Sequence, residues 1–205
     1  MHIAILTFEG FNELDSLIAL GLLNRVPDPA WRVTIAAPTP RVQSVNGVAL
    51  EAMVPLEDAV AADVVVVGSG ARTREVVADP TIMAVLAELD PARQLLAAQC
   101  SGALVLAKLG LLDGVPACTD QRSKPWVVAA GVDVLNQPFH AKGNVATAGG
   151  CLASHYLATW VIARLAGVDA AARALDYVVP VGEKEDYITR ALANVTPYLD
   201  RARAA

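Results

Sequence analysis

Short apolar, β-branched runs alternate with helix-patterned segments along most of the chain, and this alternation leaves few architectures open. Strands are expected at residues 2–7, 32–37, 62–67, 94–99 and 144–148, and helices near 14–24, 72–77, 82–89, 101–109, 151–165 and 170–177. Strands that alternate with helices pair in parallel through right-handed crossovers. The expected fold is therefore α/β, a doubly wound, mostly parallel sheet of flavodoxin-like type with helices on both faces. Composition agrees, because 55% hydrophobic against 18% charged residues is what strands buried on both faces require. The 205 residues suit a single α/β domain over 1–205.

Two segments depart from the alternation. Asn46-Gly47 sits between short extended runs in residues 41–50 and predicts a small β-hairpin with a type I′ turn. Residues 184–205 place Tyr187, Ile188, Ala191, Leu192, Val195 and Leu199 among charges, with Pro197 expected to break or kink the run. That segment reads as a surface helix closing the domain.

Several function classes are disfavoured. No apolar run reaches the roughly 18 residues that a membrane span needs. The first residues carry no basic leader and turn acidic at Glu9, Glu13 and Asp15, so a cytoplasmic location is expected. Cysteines at 100, 118 and 151 are too few and too irregular for a disulfide framework or a zinc site, which makes reduced thiols the default. A net charge of −5 argues against a nucleic-acid partner.

In open α/β sheets, sites form in the loops at the carboxyl ends of the strands. Four such loops carry polar chemistry: Phe8 through Asp15, Gly68-Ser69-Gly70-Ala71-Arg72, Cys100-Ser101-Gly102 and Gly149-Gly150-Cys151. Cys100 lies between an apolar strand and a helix, so it occupies a strand-to-helix turn. Such a turn lifts a nucleophile out of the sheet toward the first N–H groups of the helix, which should stabilise its thiolate. Cys118 and Cys151 read as core thiols, although Cys151 follows a glycine pair at a strand end. Of three histidines, His2 and His140 belong to strand regions and His155 alone starts a helix near the expected site.

These residues resemble the ThiJ/PfpI family, a branch of the class I glutamine amidotransferase-like fold, with the isocyanide hydratase subgroup the nearest. The resemblance covers residues 3 to about 177. It rests on Phe11-Asn12-Glu13-Leu14-Asp15, the Asn46-Gly47 hairpin, Asp63 through Gly70 with Asp79-Pro80, Cys100 through Ala107 with Gly110 through Gly114, Thr119, and Gly143 through Gly150. It implies Cys100 as nucleophile and Asp15 as its acid partner, with Glu13 a competitor two residues earlier. It also implies an oxyanion pocket from the N–H groups of Gly70 and Ser101. An acid beside a thiolate should have a raised pKa, sit protonated, donate to sulfur and later shuttle a proton.

Three departures from the family pattern matter. Gly68-Ser69-Gly70 stands where many members have Pro-Gly-Gly, and Ser101 where isocyanide hydratases usually have Thr. Asp120 follows Thr119 where many relatives place a histidine, which argues against a Cys-His mechanism. Thr119, Asp120 and His155 are the expected substrate-binding residues. The implied activity is a cysteine-dependent hydratase or hydrolase of a small electrophile, with no cofactor and no metal, in a homodimer. The alternative is an oxidative-stress sensor whose Cys100 is oxidised and has no dedicated substrate.

Overall fold

A seven-stranded sheet organises the protein in a computed structural model that describes residues 1–199. The strands are β1 (His2–Leu6), β2 (Arg32–Ala37), β5 (Val54–Pro55), β6 (Val64–Val67), β7 (Leu95–Gln99), β8 (Phe139–Lys142) and β9 (Val145–Ala148). They run in the order β5-β2-β1-β6-β7-β9-β8, and every pairing is parallel except β8 with β9. All five expected strands are present, each trimmed by two residues at most.

Side chains alternate across this sheet and divide the core in two. Ile3, Ile5, Val64, Val66, Leu95 and Ala97 pack toward helices α1 (Glu13–Leu23), α7 (Ser154–Ala166), α8 (Val168–Val178) and α9 (Lys184–Val195). Their neighbours Ala4, Leu6, Val65, Val67, Leu96 and Ala98 pack toward α2 (Leu56–Ala59), α3 (Thr73–Val76), α4 (Pro80–Leu86), α5 (Gly102–Lys108) and α6 (Lys124–Ala129). Both faces are dry, as a parallel sheet with covering helices demands.

The hairpin forms from β3 (Arg41–Gln43) and β4 (Ala49–Glu51) as a separate two-stranded sheet. Its turn is not type I′. That turn needs positive φ at both central residues, and here Gly47 has φ +88° while Asn46 is not among the positive-φ residues. The chain instead turns through Ser44–Gly47, closed by Ser44 N–H to the Val48 carbonyl and Gly47 N–H to the Ser44 carbonyl. At the other end, α9 stops at Val195 and a 3-10 turn, Thr196–Tyr198, carries Pro197 where the break is expected. Residues 200–205 of the expected C-terminal helix lie outside the described residues.

Trp160 of α7 is fully buried and packs on Phe139 with ring centroids 6.5 Å apart. Trp160→Ala should lower stability by about 3–5 kcal/mol, read as a lower urea midpoint with little change in slope.

Candidate active site

Cys100 occupies the sharp turn from β7 into α5 and is the one non-glycine residue with positive φ, +46°, among the described residues. An L residue adopts that backbone only where its surroundings hold it, and such strain gathers at functional sites. Here the holding groups are explicit. The Cys100 N–H donates to the Ala148 carbonyl at the end of β9 (2.8 Å), and its own carbonyl accepts from Thr119 Oγ1 (2.7 Å) and Ala103 N–H (3.2 Å). Gly102 lets α5 start directly against β6, since a Cβ there would stand 2.5 Å from the Val67 carbonyl oxygen.

The acid arrives from the other side of the topological switch, where β1 and β6 lie adjacent and their outgoing loops meet. Asn12 N–H donates to the Ser69 carbonyl (2.8 Å), and Ala71 N–H to the Gly10 carbonyl (2.9 Å). Asn12 caps α1 by accepting from Leu14 N–H, which sets Asp15 in the first turn. Asp15 is buried at 1% exposure, and its carboxylate accepts from Ser69 Oγ (2.5 Å) and Ser16 Oγ (3.4 Å). Ser154 Oγ donates to its backbone carbonyl and ties it to α7.

These elements bring an Asp15 carboxylate oxygen, Cys100 Sγ and Cys151 Sγ within 4.8 Å of one another. Gln99 Nε2 donates to Cys100 Sγ (3.3 Å) and to the Gly150 carbonyl (2.8 Å), while Asn12 Nδ2 donates to Cys151 Sγ (3.0 Å). Cys151 is thus beside the site rather than in the core, and Asn12, Ser69 and Gln99 are site residues that the sequence reading did not single out. Ser69 was visible only as a departure from Pro-Gly-Gly.

Electrostatics overturn two expectations, a stabilised thiolate and an acid that sits protonated and donates to sulfur. The Cys100 thiol is not lowered: burial, and then the charge of Asp15, push it well up. Burial also raises Asp15, from 3.8 to about 6, against the pull of its Ser69 and Ser16 hydrogen bonds. Near neutral pH the proton therefore sits on sulfur and Asp15 is mostly ionised.

The remaining candidates are distributed unevenly. Glu13 accepts from Asn46 Nδ2 of the hairpin turn (2.6 Å), away from the sulfur. Gly70 N–H donates to Ser101 Oγ (3.1 Å), whose hydroxyl also meets Thr73 Oγ1 (2.7 Å), so this amide is engaged until that hydroxyl turns. Thr119 holds the Cys100 carbonyl, and Asp120 caps the turn before α6 through the N–H groups of Arg122 and Ser123. His155 is not brought to the pair: its Nδ1 bonds the Leu152 carbonyl, and Arg190 of α9 acts on its charge. Two surface grooves, about 470 and 420 Å³, open beside Arg72 and Glu75, and Cys100 lines neither.

The fold and the elbow cysteine define a class of α/β protein that sets a cysteine at a strand-to-helix turn beside a buried acid. The chain belongs to the DJ-1/PfpI family, whose pattern matches residues 1–164. It is similar to the VC2308 protein (21% identity, TM-score 0.77, covering 92% of this chain and 97% of that one). It is also similar to a cysteine-to-alanine mutant of the DJ-1 superfamily protein STM1931 from Salmonella typhimurium (26%, 0.72, 83% and 92%) and to oxidised DJ-1 of Toxoplasma gondii (19%, 0.74, 88% and 98%). Among curated proteins none matches.

Asp15 makes the site a liability for folding. Its folded-state pKa is the higher one, so it stabilises the fold when protonated; that contribution is present below about pH 4 and is lost as pH rises through about 6. Asp15→Asn carries no such penalty and should be more stable than wild type at pH 7 by up to about 3 kcal/mol, with the difference closing near pH 4. Urea unfolding at the two pH values measures it.

Proposed function

We propose that the protein is a cysteine-dependent hydratase or hydrolase of a small electrophilic substrate, of the isocyanide hydratase kind. The observation that carries this reading is the Cys100 sulfur on a left-handed elbow with a buried carboxylate within 4.8 Å. Because sulfur keeps the proton at rest, Asp15 acts as general base. It takes the thiol proton as sulfur attacks an isocyanide carbon, then returns that proton to the same carbon, leaving a covalent thioimidate. Asp15 next deprotonates a water that adds to the carbon and protonates the nitrogen. Collapse breaks the C–S bond and releases an N-formamide, with the sulfur reprotonated.

Charge that develops on the adduct is met by the Ser101 N–H, and by Gly70 N–H once the Ser101 hydroxyl turns to Thr73 alone. Cys100 is 3% exposed, which restricts the substrate to small molecules. Thr119 and Asp120 act here by holding the elbow and its flanking turn rather than by touching substrate. Reduced thiols suit a cytoplasmic setting, and among the described residues no helix is long and apolar enough to cross a membrane.

A homodimer is supported by an apolar surface around the site. Leu14 and Leu17 of α1, Val45 and Val48 of the hairpin, and Leu152 are all exposed. Their elements adjoin, since Val45 N–H donates to the Phe11 carbonyl and the turn at Cys151–Ala153 packs on α1.

A screen of small isocyanides, amides and α-oxoaldehydes tests the activity. Cys100→Ala should reduce turnover to background with an unchanged unfolding profile; full turnover in that variant ends the proposal. The wild-type rate should rise about tenfold per pH unit up to about 6 and then level, because the base must be ionised. Asp15→Asn should lose that limb and about 10²–10⁴-fold in rate. Leu14→Asp should convert a sedimenting dimer to monomer.

A further inference from the structure

The reaction above leaves one sulfur unused. Cys151 starts a 3-10 turn directly after Gly149-Gly150, is half-buried where Cys100 is buried, and has its Sγ within 4.8 Å of both Cys100 Sγ and the Asp15 carboxylate. Asn12 Nδ2 donates to this sulfur at 3.0 Å and holds it facing the pair. Cys118, the third thiol, is buried and stands outside the group.

We propose that Cys151 and Cys100 form a dithiol–disulfide couple that reduces hydroperoxides, Cys151 meeting the peroxide and Cys100 resolving the product. The partly exposed, amide-supported thiol is the one an oxidant reaches first. The Cys151 thiol sulfur attacks the terminal peroxide oxygen, the O–O bond breaks, and the alcohol or water leaves with the thiol's proton, giving a sulfenic acid. Asp15 then removes the Cys100 proton, Cys100 sulfur attacks the sulfenic sulfur, the S–O bond breaks, and hydroxide leaves as water with that proton. Two thiols have given two electrons to one peroxide. An external dithiol reduces the disulfide and restores both thiols.

Closing the bond needs the sulfurs to approach from within 4.8 Å, a movement on the scale of a cysteine rotamer change at a turn entered through Gly150, whose φ is +91°. The disulfide occupies the nucleophile, so the couple also switches off the reaction proposed above. The step relies on Asp15 as the base of that reading, but its readout is covalent and independent of turnover.

The wild-type protein is treated with one equivalent of hydrogen peroxide, then analysed by intact mass, thiol titration in denaturant and peptide mapping. The expected result is loss of two hydrogens, a fall from three free thiols to one, a crosslinked peptide joining Cys100 and Cys151, and reversal by dithiothreitol. Cys100→Ala should accumulate a dimedone-trapped sulfenic acid at Cys151, and Cys151→Ser should form no internal disulfide. Asp15→Asn should slow disulfide closure about 10²-fold or more. Oxygen added to Cys100 with Cys151 still alkylatable, or no crosslink in the map, would overturn the proposal. A crosslink in a protein that hydrates no isocyanide would overturn the hydratase reading alone.

Discussion

The contact between the loops leaving β1 and β6 is the constraint on which the site depends. Asn12 N–H on the Ser69 carbonyl and Ala71 N–H on the Gly10 carbonyl bind two segments more than fifty residues apart in sequence. Gly70 makes that approach possible, because a Cβ there would stand 2.6 Å from the Gly10 carbonyl oxygen. The contact sets the start of α1 relative to β6 and so puts the Asp15 carboxylate under the Ser69 hydroxyl. Without it the acid and the elbow would belong to separate helices with no common origin.

The elbow is held as firmly from the opposite side. β9 receives the Cys100 N–H through Ala148, Thr119 grips the Cys100 carbonyl, and Gly149 packs its backbone directly on that of Thr119. The same β9 leads into Gly150 and Cys151, so one strand end both clamps the first sulfur and delivers the second. Gln99 Nε2 spans the two by bonding Cys100 Sγ and the Gly150 carbonyl. A left-handed cysteine survives here because two separate segments, the end of β9 and the stretch at Thr119, would have to yield for it to relax.

Much of this was legible in the sequence, for reasons that also mark where legibility ended. β6 reads as a strand because Val64–Val67 is an unbroken β-branched run, and the elbow reads as a turn because an apolar strand meets a helix at Cys100. The helices α2 and α6, four and six residues long, carry too little periodicity to be seen. The hairpin turn departs from type I′ because Asn-Gly serves both the two-residue turn and longer ones, and only backbone angles separate them. Ser69, Asn12 and Gln99 gave no chemical signature, since a hydroxyl and two amides acquire their roles only from what the fold sets beside them. Cys151 is the plainest case: residue 151 nears residue 100 through the β7–β9 pairing, which is long-range information.

The protonation state of the nucleophile follows from which of two opposed effects is larger. The start of α5 offers its free N–H groups and dipole to the thiolate, a stabilisation of about 0.3–1 kcal/mol at an ordinary helix end and about 2 in favourable buried geometry. Against it stands the removal of a charge from water, which costs several kcal/mol per ion even after relaxation, and the repulsion of an ionised Asp15 nearby. α5 has only seven residues, and Cys100 is almost wholly buried, so desolvation prevails and the thiol keeps its proton. The acid at about 6 is then the only one of the pair that ionises near neutrality. A nucleophile of this kind is not stored as an anion; it is made when a substrate arrives and the base beside it takes the proton.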